Sequence, residues 1–236
     1  MEDQANLLPL YEQVRRAILA GIESGQFAEG GFLPTEPELM ALYGVSRITL
    51  RRAIGELCAD GRLQRQQGRG TVIMPGKVRQ TLVSLSGFSE TMDGLGRKAG
   101  HRILARNDTP DAPAIRDRLQ AGALIRFDRL LEDNGRPMTL ETLWFDRSRF
   151  PDVIAPVAAG GSFFAALRDT AGIVPTHAER QIDVGFASPG ERAILAVTAA
   201  QPVYRIEKIV TDAEGRPLAL SQLVTPSHLV TYTIKT

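Results

Sequence analysis

Residues 45–73 read VSRITLRRAIGELCADGRLQRQQGRGTVI, a short helical pattern followed at once by a glycine-rich hairpin pattern. Ser46 is a natural N-cap. Leu50, Ala53, Ile54, Leu57 and Cys58 recur at helical spacing as one buried stripe, and Gly61 ends the run. The outer face carries Arg47, Arg51 and Arg52, where glutamate or lysine would keep a helix equally soluble. Beyond Gly61, RLQRQQGRGTVI predicts two short strands around QGRG.

Upstream, PLYEQVRRAILAGIES (9–24) reads as a helix, with Pro9 in the first turn and Leu10, Val14, Ala17, Ile18 and Ile22 at helical spacing. TEPELMALYG (35–44) opens with a capping box, Thr35 and Glu38, and closes on Gly44. Leu39, Leu42 and Tyr43 are expected to face inward. Only Val45 and Ser46 separate this helix from the next, so the pair reads as a helix-turn-helix followed by a wing.

The charge distribution gives the arginines a purpose. Residues 44–76 hold six arginines against two acids, whereas residues 1–43 hold two arginines against seven acids. Within residues 1–76 the net positive charge sits in the second helix and the wing, as an electrostatic footprint for DNA requires. In a helix-turn-helix the second helix enters the major groove. Arg47 and Arg51, four apart, share a face, with Thr49 and Arg52 beside them, and a guanidinium pairs bidentately with guanine O6 and N7. Ser46 and Thr49 add phosphate or base contacts. Gly68 lets the wing tip approach a minor groove, with Arg65 and Arg69 ready for its negative potential.

The rest of the chain has another character. PGKVRQTLVSLS reads as a linker, Phe88–Leu95 as a helix, HRILARND as a strand and DAPAIRDRL as a helix capped by Asp111. Then the chain repeats itself: RFDRLLEDNGRPMTLETL (126–143) matches RIEKIVTDAEGRPLALSQL (205–223) as strand, turn, strand. Asn134-Gly135 favours a tight hairpin, and Ala213-Glu214-Gly215 a three-residue loop. A helix around SFFAALRDTAG, a long strand VPTHAERQIDVGFA and a helix SPGERAILAV lie between the repeats. The expected class is α+β: residues 1–75 a winged helix-turn-helix domain, 76–86 a linker, and 87–236 a mainly antiparallel effector-binding and dimerisation domain.

These residues resemble a known family. Residues 9–74, through PLYEQV, LPTEPELMALYGVSRITLRRAI and LQRQQGRGTVI, resemble the winged-helix domain of GntR-type bacterial transcriptional regulators. Residues 80–236, through FSETMDGLGRK, the two GRP hairpins, FPDV and SFFAALRDTAGI, resemble the UTRA effector domain of the HutC subfamily. The resemblance implies DNA contacts at Arg47, Thr49, Arg51 and Gly68. It also implies a small polar metabolite held by Ser89 or Thr91, Arg129, Glu141, Ser162 and Tyr232. Pro37 replaces an arginine common in the family, which removes one phosphate or base contact. Leu131 takes the second place of the R-x-R found in phosphosugar binders, and TPSHLVTY replaces the usual Y-R-G-D-R-Y ending. Both departures speak against a phosphosugar effector.

From residues alone, Arg129 and Glu141 sit on adjacent strands of one hairpin, either as an ion pair on a solvated face or as ligand contacts. The register that decides between these is open. In the repeat, Arg129 corresponds to Lys208, but Glu141 corresponds to Ser221. His101, His177 and His228 read as ordinary polar residues, and Trp144 and Phe145 as core or dimer surface.

Composition narrows the classes. The net charge is +1 and hydrophobic content 43%, as in ordinary globular protein. One cysteine, Cys58, and three histidines leave no internal disulfide and no zinc-ligand spacing. MEDQANLLPL lacks the pattern of a signal peptide, and no apolar run reaches membrane-span length, so a cytoplasmic protein is expected. No catalytic residue, metal or cofactor is assigned. The leading expectation is a homodimeric, ligand-responsive repressor on an inverted-repeat duplex operator. The alternatives are a metabolite-converting enzyme, because the UTRA fold resembles chorismate lyase, and a non-specific architectural DNA binder.

Overall fold

The computed structural model describes residues 8–74, 76–81 and 87–233. The chain divides into two compact units, Met1–Val78 and Arg79–Thr236.

In the first unit, α1 (Leu10–Glu23), α2 (Glu36–Tyr43) and α3 (Arg47–Ala59) are followed by the hairpin β1 (Leu63–Gln66) and β2 (Gly70–Ile73). Val14, Ile18 and Ile22 of α1 pack against Leu50, Ala53, Ile54 and Leu57 of α3. At α2, Glu38 accepts from the Thr35 backbone N–H at 2.7 Å, closing the capping box. Gly44 ends the helix in the left-handed region at φ 63°, where a Cβ is unfavourable. Ser46 caps α3 by accepting from the Thr49 N–H at 3.3 Å. One expectation fails here: Leu42 is 56% exposed. Leu39 takes the buried position, and Met40 and Tyr43 flank it at i+1 and i+4, which leaves Leu42 on the outer face of a two-turn helix.

The second unit is built on a six-stranded antiparallel sheet ordered β4-β5-β6-β9-β8-β7. Its strands are β4 (Ala99–Asn107), β5 (Leu124–Asp133), β6 (Arg136–Asp146), β7 (His177–Phe186), β8 (Pro202–Thr211) and β9 (Pro217–Pro226). The repeats are the hairpins β5–β6 and β8–β9, joined to each other by the β6–β9 pairing. Asn134 and Gly135, at φ 50° and 78°, make the two-residue turn of the first. The second turns through Ala213, Glu214 and Gly215, held by the Asp212 carboxylate, which accepts from the Glu214 and Arg216 N–H groups.

Alternation along the strands separates two cores. Ile125, Phe127, Leu143 and Phe145 point to the face covered by α6 (Ile154–Ala158) and α7 (Phe163–Ala171), while Leu124, Trp144 and Leu220 point to the face covered by α5 (Pro113–Leu119). Trp144 and Phe145 are thus both core, on opposite faces. The helix α4 (Phe88–Asp93) precedes β4, and α8 (Pro189–Leu195) follows β7 behind a Ser188/Glu191 capping box.

Two further readings need correction. Asp111 does not cap α5: Pro113 starts the helix at N1, where its fixed φ and missing N–H fit, so Ala112 becomes the N-cap. Within the expected linker 76–86, Val78–Thr81 forms a strand, β3, paired with β10 (Val230–Thr233), while residues 82–86 lie outside the described residues.

Candidate functional site

Two regions concentrate the residues singled out above. The first is the outer face of α3 with the wing. Arg47 is exposed at the start of α3, without an acidic partner among the described residues. Arg51 is engaged by Glu36 of α2, its Nε lying 3.0 Å from both carboxylate oxygens. Arg65 reaches from β1 to the Arg51 carbonyl oxygen at 3.5 Å, tying wing to helix. Gly68, at φ 73°, and exposed Arg69 form the wing tip. Ser46 and Thr49 hydroxyls lie 3.0 Å apart, engaged in the cap. Arg52 turns away from this group: its guanidinium carbon lies 3.7 Å over the Tyr11 ring, and its Nε is 3.6 Å from Glu56.

The second region is a cavity of about 330 Å³ in the second unit. On β5, Ile125 and Phe127 belong to the apolar core, and the next two residues on that face, Arg129 and Leu131, line the cavity. Arg129 is the direct cross-strand partner of Glu141. Both side chains are buried, 5% and 6% exposed, so the solvated-face alternative falls. The Arg129 Nε and Nη2 both donate to Glu141 Oε2, the former at 3.0 Å, and Nη1 donates to the Gly161 carbonyl at 3.3 Å. Burial pushes the Glu141 carboxyl up, but Arg129, Lys208 and a hydrogen bond from Ser221 outweigh it and hold the group ionised below its ordinary range.

The second repeat supplies the neighbouring row of the wall. Lys208 is the cross-strand partner of both Ser221 and Arg180. Its ammonium lies 4.9 Å from the Phe164 ring centre, and no carboxylate among the described residues comes within salt-bridge distance. Burial, with Arg180 and Arg129 adding to it against Glu141, pushes the Lys208 pKa down to about 8. His101 also lines the cavity, and burial and then the Arg129 charge lower its pKa.

Of the expected effector residues, Thr91, Arg129, Glu141, Ser162 and Tyr232 are brought to this one cavity. Ser89 is not on its wall; its hydroxyl lies 3.4 Å from His101 Nε2, which is. The Thr91 hydroxyl donates to the Gly87 carbonyl, and Ser162 caps α7. Tyr232 packs against Tyr204, and burial pushes its pKa up to about 12. Sequence reasoning missed Lys208, Arg180 and His101. The repeat held a signal for the first, since Lys208 is the counterpart of Arg129.

Among the described residues no group of three or more His, Cys, Asp or Glu side chains is placed to hold a metal ion, and no helix is long and apolar enough to cross a membrane.

Residues 10–73 match the gntR family of bacterial regulatory proteins, and residues 94–230 match the UTRA domain. The chain belongs to the gntR family, in its UTRA-bearing, HutC-type branch. It is 31% identical to the HTH-type transcriptional regulator YurK of Bacillus subtilis, over 99% of this chain and 98% of that one. It is 30% identical to a probable fructoselysine utilization operon transcriptional repressor of Escherichia coli, over 95% and 93%. The Histidine utilization repressor of Pseudomonas putida is 25% identical over 92% of this chain and 88% of its own. The crystal structure of PhnF from Mycobacterium smegmatis superposes with a TM-score of 0.65 at 25% identity, covering 94% of this chain and 98% of that one. This gntR-family chain is therefore a DNA-binding transcriptional regulator with a separate ligand-binding domain.

Proposed function

We propose that this regulator is a repressor that binds an inverted-repeat operator as a homodimer and is released or repositioned by a small polar anion in the cavity of its second unit. The supporting observation is the cationic excess of that cavity. Arg129 and Lys208 stand on its wall, the carboxylate of Glu141 is already engaged by Arg129, and Glu90 is paired with Arg168 at 2.9 Å. Desolvated cations of this kind are stabilised by an incoming carboxylate or phosphate. Leu131, on the same wall as Arg129, fills the place of the second arginine of R-x-R, which favours a carboxylate over a phosphosugar.

In this reading the strand pair β3–β10 carries the signal. Tyr232 belongs to β10, which pairs with β3, and β3 continues the chain that leaves the wing. An effector touching Tyr232 bears on that strand pair, and a coupling of about 1–3 kcal/mol changes operator affinity several-fold to a hundredfold.

The test is thermal unfolding of the protein against a metabolite panel, followed by operator release by any hit. Amine- and carboxylate-bearing compounds come first, since relatives are named for fructoselysine and histidine utilization. A ligand at one hundred times its Kd adds about 2.7 kcal/mol, a rise of several degrees. A hit that raises the midpoint but leaves operator binding untouched refutes the coupling; a panel without anionic hits refutes the site.

A further inference from the structure

The most exposed large hydrophobic residue among those described is Ile48, at 83%, and it lies on α3 between Arg47 and Thr49. At 100° per residue, Ile48 lies opposite the buried stripe Leu50, Ala53, Ile54 and Leu57, at the centre of the outer face, with Arg47 and Arg51 along one side. Nothing in folding favours isoleucine there. It buries little surface, and a β-branched side chain is a poorer helix former than the lysine or glutamate an outer face usually carries.

A second residue on the same side has the same character. Gly55, seven positions on from Ile48, sits inside the helix, yet a Cβ added to it would meet nothing within 4 Å. A mid-helix glycine costs about 1 kcal/mol relative to alanine, and no contact among the described residues requires it. One apolar side chain and one bare stretch of backbone thus mark the face that the arginines flank. This is the surface of a helix approached closely by something outside the chain, apolar at one point and anionic around it.

Major-groove DNA presents that combination. The thymine C5 methyl is the apolar group on the base edges there, set among the phosphates and guanine acceptors that arginine binds. We propose that Ile48 is a specificity-determining residue that packs on a thymine methyl, while Gly55 lets α3 sit close enough for the contact. The inference rests on α3 being the groove-facing helix.

The test uses the full chain and an operator recovered by selection from a random duplex library. Each thymine is replaced in turn by deoxyuridine, which removes only the methyl. At one thymine per half-site, wild-type binding is expected to weaken about fourfold, the worth of one buried methyl. Ile48→Ala, whose fold circular dichroism verifies, is expected to bind the unmodified operator more weakly by about fourfold per half-site, since both protomers lose the contact, and to ignore the methyl at that position. Wild-type binding that tolerates uridine everywhere overturns the proposal and leaves the groove reading standing. The same conclusion follows if Ile48→Ala keeps the methyl sensitivity. A wild-type protein that selects no sequence at all overturns both.

Discussion

Arg129 and Glu141 are direct cross-strand partners on β5 and β6, buried together at the edge of a cavity that also receives Lys208. A buried ion pair is weak evidence for stability as a whole, but either half without the other is costly. That asymmetry makes the pair testable.

Glu141→Ala leaves the Arg129 guanidinium buried with only the Gly161 carbonyl. The expected loss is about 3–5 kcal/mol of stability in the second unit, and Arg129→Met with Glu141→Met is expected to restore most of it. Urea unfolding followed by circular dichroism reads both. A single variant as stable as the parent would show that the pair is solvated rather than buried.

Lys208, at about 8, titrates below the ordinary lysine value near 10.4. The unfolded chain therefore binds more protons between those two values, and the folded unit gains stability as pH rises through the window. Lys208→Met is expected to abolish that gain. Binding of an anion behaves oppositely: affinity falls as pH rises past 8, because the charged ammonium is what attracts it. Unfolding and ligand titrations from pH 7 to 10 separate the two trends, and a parent whose pH profile matches that of Lys208→Met refutes the assignment.

Arg47 on α3 and Arg69 at the wing tip are expected to behave differently. Arg47→Ala should cost about 1–3 kcal/mol and relax discrimination at one base pair. Arg69→Ala at the wing should weaken binding to all sequences alike and reduce the salt slope by about one. Electrophoretic mobility shifts over a set of point-substituted operators and several salt concentrations distinguish these outcomes. Uniform loss from Arg47→Ala would instead support an architectural binder.

Arg52 is expected to matter for packing. With its guanidinium over Tyr11, Arg52→Ala should cost about 0.5–1 kcal/mol of stability in the first unit and leave base discrimination unchanged. Loss of preference at a single base pair in that variant would return Arg52 to the reading face.

The residue order determined the first unit almost completely, because its signals are local. Caps at Thr35 and Ser46, a stripe at i, i+3, i+4 and i+7, and glycine stops each act within a turn or two of helix. Where such signals compete at short range, as at Asp111 before Pro113 or Leu42 beside Leu39, only the folded context chose between them. The repeat at 126–143 and 205–223 was equally legible, and so were both turns. What the order of residues left open was register, since a slip of one residue sends every side chain of a strand to the other face. Tertiary pairing settled it. It set Arg129 opposite Glu141, placed the second hairpin beside the first so that Lys208 and Arg180 reached the same wall, and brought His101 in from β4. A cavity assembled from strands far apart in sequence depends on which edges meet, and that is decided by burying two apolar faces of one sheet rather than by any local signal.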